Sequence, residues 1–275
     1  MEKDLIKRVR KTVPLVHNIT NYVTVNDVAN ILLACGGSPI MADDAGEAAE
    51  ITSICGGLNI NIGTLNSRTI ESMLLAGKKA KELEHITVLD PVGAGASKLR
   101  TETAMRLLEE VGFSVIRGNV SELKTLWGKE GKTKGVDADI ADSVTEENLD
   151  EMVQFAKKLS KKTGAVIAMT GAIDVVAHEN KAYAIRNGNP LMSKITGTGC
   201  MLSGVVAAYC VANPENLLDA TAAAVAAMGL SGEIALERLK KTELGGTSSY
   251  RTYIIDAMSN MTDEILEEGM KIEAR

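Results

Sequence analysis

Short β-branched runs recur along this chain with helix-patterned stretches between them, and that rhythm restricts the fold more than any other feature. Leu58-Asn59-Ile60-Asn61-Ile62 precedes a helical pattern over 68–83, Ile86-Thr87-Val88-Leu89 precedes another over 101–111, and Phe113-Ser114-Val115-Ile116 follows. Strands alternating with helices imply βαβ units, with parallel strands buried on both faces and joined by right-handed crossovers. Farther on, 165–169 and 174–177 read as strands parted by Thr170-Gly171, and His178-Glu179-Asn180-Lys181 turns the chain into 182–185, an antiparallel patch beside the parallel sheet. The last third reads as helices over 201–211, from 215 to about 233, and over 250–268. In the last of these, Tyr253, Ile254, Ala257, Met258, Met261 and Ile265 share one face by three-and-four spacing, leaving Asp256, Asp263 and Glu264 outside. The expected fold class is α/β, a mostly parallel central sheet with helices on both faces.

At 275 residues and 45% hydrophobic composition the chain can bury one large core. No Pro/Ser-rich linker or repeat divides it, and the polar stretch 128–142 fits a surface loop, so a single domain over 1–275 is expected. A net charge of −6 with mixed signs argues against a nucleic-acid surface, which needs a basic stripe. The start Met1-Glu2-Lys3-Asp4-Leu5-Ile6-Lys7 lacks a secretory apolar run, and the apolar stretch 217–230 is Ala-rich and holds Asp219, so a cytoplasmic protein with no membrane partner is expected. Cys35, Cys55, Cys200 and Cys210 form no Cys-x-x-Cys pair and read as free thiols.

In open sheets of this kind, ligands sit beyond the carboxyl ends of the strands. Four places join a strand end to a turn with glycine and a polar or charged residue: Asn61-Ile62-Gly63-Thr64, Leu89-Asp90-Pro91-Val92-Gly93-Ala94-Gly95, Ile116-Arg117-Gly118-Asn119 and Met169-Thr170-Gly171. A further turn, Thr196-Gly197-Thr198-Gly199-Cys200, opens straight into a small, apolar helix pattern. Gly197 and Gly199 let backbone N–H groups converge where the helix begins. Its unpaired amides and positive dipole end favour an anion such as a phosphate in transfer, although Gly-x-Gly pairs also mark ordinary tight turns.

Asp90, held extended before Pro91, suits Mg²⁺ carrying phosphate ligands, because that ion keeps several waters and takes only one or two protein carboxylates; the plain alternative is a loop cap for Gly93 or Gly95. Asn119 and Glu122 read as a capping box, and Glu122 near Asp90 would complete a water-mediated Mg²⁺ site. Arg117 offers a fork to phosphate oxygens, and the Thr170 hydroxyl a contact to a nucleotide phosphate. In Val16-His17-Asn18-Ile19-Thr20-Asn21, His17 reads as a satisfied structural histidine and Asn21 as a cap for the helix pattern 25–33. Cys200 at a helix start is expected to have its thiolate favoured and so to serve as base or nucleophile; otherwise it is a small packing residue that lets substrate approach the anion site.

Five blocks in order, Pro14-Leu15-Val16-His17-Asn18-Ile19-Thr20-Asn21, Pro39-Ile40-Met41-Ala42, Leu89-Asp90-Pro91-Val92-Gly93-Ala94, Arg117-Gly118-Asn119-Val120-Ser121-Glu122 and Thr196-Gly197-Thr198-Gly199-Cys200, together resemble the hydroxyethylthiazole kinases of thiamin biosynthesis and salvage, members of the ribokinase-like superfamily. The resemblance implies a three-layer α/β/α sandwich and ATP-dependent phosphorylation of the primary hydroxyl of 4-methyl-5-(2-hydroxyethyl)thiazole, with Mg²⁺. It also implies a homotrimer with active sites at the subunit boundaries, each chain lending part of the thiazole pocket to its neighbour. By position, Met41 and Gly197 resemble substrate contacts, Asn21 and Gly63 line the thiazole pocket, Arg117 and Thr170 contact ATP, and Asp90 and Glu122 are the Mg²⁺ carboxylates. Cys200 falls nearest the attacking hydroxyl, with the amides of Gly197 to Cys200 around the charge in transfer; related sugar kinases resemble this motif with Asp at that position. Competing readings are a ribokinase-like kinase of another small alcohol (pyrimidine or sugar), an ATP-dependent repair dehydratase, and a nucleotide-sensing module without turnover. No Gly-x-Gly-x-x-Gly follows the first expected strand, which argues against a dehydrogenase.

Overall fold

The computed structural model describes residues 1–128 and 143–275, so the expected surface loop lies, beyond Gly128, outside the described residues. Strands β1 (Leu15–Ile19), β2 (Ser38–Ile40), β3 (Gly57–Asn61), β4 (Ile86–Asp90), β5 (Val115–Asn119) and β6 (Val166–Thr170) run parallel in the spatial order 2-1-3-4-5-6. Strands β7 (Asp174–His178), β8 (Lys181–Ile185) and β9 (Ile272–Ala274) extend that sheet antiparallel. The expected parallel rhythm and antiparallel patch are both present.

Successive strand residues point to opposite faces, and here both faces are buried. Val88, Val115 and Val166 enter one core while their neighbours Leu89, Ile116 and Ile167 enter the other. The first core is closed by α1 (Leu5–Thr12), α2 (Val25–Cys35), α8 (Thr198–Ala212), α9 (Leu217–Lys240) and α10 (Thr247–Ser259). The second is closed by α4 (Ser67–Glu82), α5 (Lys98–Glu110), α6 (Val120–Trp127) and α7 (Leu149–Thr163), with α3 (Ala48–Ile54) packed against α4. Helix α9 is long and apolar enough to cross a membrane by length and composition, yet every residue from Leu218 to Gly232 is buried in the protein, so it is a core helix.

The helix expected over 250–268 is two helices, α10 and α11 (Asp263–Gly269). Thr262 adopts an extended backbone and its hydroxyl accepts from the Ile265 N–H at 3.2 Å, starting a new helix and breaking the three-and-four register after Met261. Leu266 is therefore buried in place of Ile265. Asp263, expected to face solvent, accepts from the backbone N–H groups of Ile6 and Lys7 at 3.0 and 2.9 Å, satisfying orphan amides at the start of α1.

Candidate active site

Parallel strands β1, β3, β4, β5 and β6 end on one edge of the sheet, and the first turn of α8 packs against that edge. Asp90, the last residue of β4, is completely buried. Its Oδ2 accepts from Asn61 Nδ2 and from Ser203 Oγ, both at 2.8 Å, and Arg117 Nη1 stands 3.3 Å from Oδ1. The second nitrogen of the Arg117 fork donates to Thr170 Oγ1 at 2.9 Å, so one guanidinium on β5 ties the tips of β4 and β6 together. Gly199 makes room for it: a Cβ there would fall 2.4 Å from Arg117 Nη2.

The capping box on α6 is as read: Asn119 Oδ1 accepts from the Glu122 N–H, and Glu122 Oε2 from the Asn119 N–H, both at 2.9 Å. Glu122 Oε1 also accepts from the Gly93 N–H at 2.8 Å, and Thr101 Oγ1 takes the Gly95 N–H at 2.9 Å. Glu122 and Thr101, not Asp90, hold the loop after β4, which removes the loop-cap reading of Asp90. Burial, aided by the nearby negative charge of Glu122, holds the Asp90 carboxyl above the usual carboxylate range, only partly offset by Arg117, Ser203 and Asn61.

Cys200 is half-buried, and its Sγ accepts from the Nδ2 groups of Asn21 and Asn61, each at 3.2 Å. Asn21 Oδ1 takes the Thr24 N–H and hydroxyl, each at 3.1 Å, so Asn21 closes the turn ahead of α2 and is not its N-cap. The expected stabilisation of the Cys200 thiolate is reversed. Burial first, then the charge of Asp90, push the thiol above its ordinary range against the hydrogen bonds of Thr24 and Asn21 and the charge of Arg117, so Cys200 keeps its proton at neutral pH. Gly197 has φ +88°, the left-handed region, and a Cβ there would lie 2.4 Å from Thr24 Cγ2; glycine alone turns the chain into α8 so close to α2. Gly63 donates its N–H to Asn61 Oδ1 at 2.9 Å. His17 is fully buried with both ring nitrogens engaged, and burial lowers its pKa. Because Ala42 O can only accept, Nε2–H donates to it, at 2.8 Å, and pins the segment that carries Met41.

Two cavities lie near the strand tips. The larger, ≈ 520 Å³, is walled by Arg117, Thr170, Asp174, Asn187, Met192, Thr198 and Gly199 among others. The smaller, ≈ 250 Å³, is walled by Asn18, Thr20, Met41, Asn61, Thr64, Asn66 and Met73 among others, a mixture of apolar and amide groups. Cys200 walls neither cavity, but its partner Asn61 walls the smaller and its neighbour Gly199 the larger, and Asn61 also donates to Asp90 at the β4 tip. Gly63 and Gly197 shape the backbone without walling either cavity; Gly63 opens on a neighbouring depression beside Tyr22 and Arg100.

Three residues of this arrangement escape a reading of the sequence: Asn61, Ser203 and Asp174. Asp174 accepts from the Gly171 N–H at 2.9 Å, and burial, held back by that bond and by Arg117, pushes its carboxyl up to about 7. An unfolded aspartate ionises near ~4, so between about pH 4 and about pH 7 the folded state keeps a proton that the unfolded state releases, and stability falls as pH rises through that window. Asp174→Asn retains an acceptor for Gly171 and removes that slope. Melting curves at a series of pH values should show the variant gaining on the native protein from about pH 4 to about pH 7; a constant gap would contradict it.

The parallel order 2-1-3-4-5-6 and the antiparallel extension, with helices on both faces, are a ribokinase-like α/β fold. A ribokinase-like superfamily protein from Enterococcus faecalis V583 shares the fold, with a TM-score of 0.63 at 12% identity over 94% of each chain. The chain belongs to the hydroxyethylthiazole kinase family, whose model matches residues 6–264. A hydroxyethylthiazole kinase of Clostridium acetobutylicum is 63% identical over 274 residues, with 100% of each chain covered. The structure of the hydroxyethylthiazole kinase protein from Pyrococcus horikoshii OT3 is similar at a TM-score of 0.87 and 33% identity, covering 99% of this chain and 98% of that one.

Proposed function

We propose that this kinase transfers the γ-phosphoryl group of ATP to the primary hydroxyl of 4-methyl-5-(2-hydroxyethyl)thiazole, supplying the thiazole phosphate for thiamin phosphate synthesis. One observation carries the reading: the start of α8 walls a cavity large enough for a nucleotide through Thr198 and Gly199, and through Cys200 it is bonded to Asn61 on the wall of a smaller cavity suited to a single heterocycle. ATP occupies the larger, its phosphates met by Arg117 and Thr170; the thiazole occupies the smaller, against Met41, with Asn21 and Gly63 at its margin. The free N–H groups from Gly197 to Cys200 face the group in transfer and stabilise the charge that gathers on its equatorial oxygens.

Among the described residues no group of three or more His, Cys, Asp and Glu could hold a metal ion. Asp90 and Glu122 instead fit Mg²⁺ held largely by water and phosphate, since a cation beside them would favour the ionised Asp90 that burial, and to a lesser degree the Glu122 charge, disfavours. When bound, Mg²⁺ supplies charge neutralisation at the phosphate oxygens.

A loose phosphoryl-transfer transition state demands positioning more than proton removal, which is compatible with a protonated thiol next to the acceptor. Cys200→Ala should lower kcat by about 10²-fold or less, the scale of one acid–base group, and Cys200→Asp should keep or raise it. Complete loss of turnover in a folded Cys200→Ala protein would revive a nucleophilic cysteine.

The whole chain acts as one domain, in the cytoplasm, where its free thiols stay reduced. It assembles as a homotrimer with sites between subunits. Tyr22 on the wall of the smaller cavity and the adjacent Val23 are 76% and 56% exposed, an apolar rim that a neighbouring subunit covers. The deciding experiment mixes the protein with ATP, Mg²⁺ and the hydroxyethylthiazole and weighs the product. A gain of one phosphoryl group on the thiazole is the expected result; a gain only on a pyrimidine or sugar alcohol, or no ATP consumption, overturns this reading.

A further inference from the structure

Asn61 lies at the tip of β3, almost fully buried, and each of its polar positions has a partner. The Gly63 N–H, which can only donate, fixes Oδ1 on its own side, where the Asn21 amide also donates at 3.0 Å. Nδ2 is thereby turned the other way, and its two hydrogens go to Asp90 Oδ2 at 2.8 Å and Cys200 Sγ at 3.2 Å. The Thr24 N–H settles Asn21 in the same manner: Oδ1 faces Thr24, leaving Nδ2 for Asn61 and for the sulfur. Both N–H···S contacts therefore run from amide to sulfur, and the amide orientations follow from backbone donors. A residue serving only the fold had no need to join these two groups, which come from β4 and α8. Asn61 links the buried carboxylate to the thiol at the acceptor side of the site.

We infer that Asn61 is a positioning residue for phosphoryl transfer, fixing the Cys200 sulfur against Asp90 through its two amide hydrogens. The inference rests on the proposed thiazole kinase reading for its kinetic consequences and on the hydrogen-bond geometry alone for its effect on the sulfur. Acting through Cys200, it predicts non-additivity. Asn61→Ala should lower kcat about tenfold, with KM for ATP within about twofold of native, and this fall in kcat should be no more than about twofold when Cys200 is already Ala. Ser203→Ala, which removes another partner of Asp90 without touching the sulfur, should multiply with Cys200→Ala instead.

A second measurement needs no turnover. Cys35, Cys55 and Cys210 are buried, so iodoacetamide modification of the half-exposed Cys200 can be followed by peptide mass. Asn61→Leu, close in shape but with no N–H to give, should move the midpoint of the modification-against-pH curve up by about one pH unit, because hydrogen bonds to a thiolate favour it. Asn21→Leu, which removes the other N–H···S donor, should move it the same way and serves if the Asn61 variant does not fold. Equal cost of Asn61→Ala in both backgrounds, or a midpoint that stays in place, overturns the inference. If the midpoint moves while no thiazole is phosphorylated, the sulfur geometry stands and the substrate reading falls.

Discussion

Asp90→Asn should lose about 10³-fold in kcat and melt below the native protein, because it strands the buried Arg117 guanidinium. The two effects have one cause. Asp90 is completely enclosed, and burial outweighs the attraction of Arg117 and the hydrogen bonds of Ser203 and Asn61, so its ionised form is disfavoured in the folded protein even with the guanidinium in place. A neutral isostere relieves that cost but leaves the buried Arg117 guanidinium unpaired and turns an NH2 group toward side chains that donate to Asp90. The same change removes the negative charge that holds Arg117 Nη1 and that, with Glu122, fits the cation at the phosphates. Steady-state kinetics at saturating ATP and thiazole, paired with thermal melts, check both halves. Near-native turnover would remove Asp90 from the reaction, and a melting temperature at or above the native one would show that the cost of its burial outweighs its pairing with Arg117.

Features fixed by neighbouring residues were legible in the sequence. The β4 tip at Asp90-Pro91 and the Asn119–Glu122 capping box each depend on residues within a few positions, and both are found where spacing puts them. Features that depend on distant partners were not. His17 is the satisfied structural histidine its context suggests, bonded to Thr52 and Ala42, but nothing local says what the strand amides of Asn18, Asn59 and Asn61 meet: they are buried because Asn59 Nδ2 donates to Asn18 Oδ1 at 3.0 Å and Asn61 Nδ2 to Asp90 and Cys200. The thiol of Cys200 was misjudged for the same reason. A helix start favours a thiolate locally, but the sulfur is buried beside Asp90, a residue brought to it only by the packing of α8 on the strand tips. The division of α10 from α11 was available in Thr262-Asp263-Glu264, a start signal masked by an apolar periodicity that runs to Met261 and happens to resume at Ile265.

Gly199→Ala should lower kcat/KM for ATP by about 10²-fold, the cost of misplacing a positioning group by about an ångström. Loss of fold is not the reason, because Gly199 lies in the first turn of α8, where alanine has the better helix propensity by about 1 kcal/mol. The new methyl would sit 2.4 Å from Arg117 Nη2 and 2.6 Å from Nη1, so the guanidinium has to move. It has little freedom to do so: the Arg117 side chain is only 13% exposed and is tied to Asp90 and Thr170. Displacing it opens both links and shifts the one cation common to the carboxylate and the wall of the larger cavity. Gly171→Ala is the matched control on that wall, since its Cβ would meet nothing nearer than Ile173 O at 3.5 Å, and it should stay within about twofold of native. Kinetics for ATP and for the thiazole separate the outcomes. A loss confined to ATP places Arg117 on the phosphates, an equal loss for both substrates points to a distorted helix start, and native kinetics would show that Arg117 yields without consequence and is no phosphate clamp.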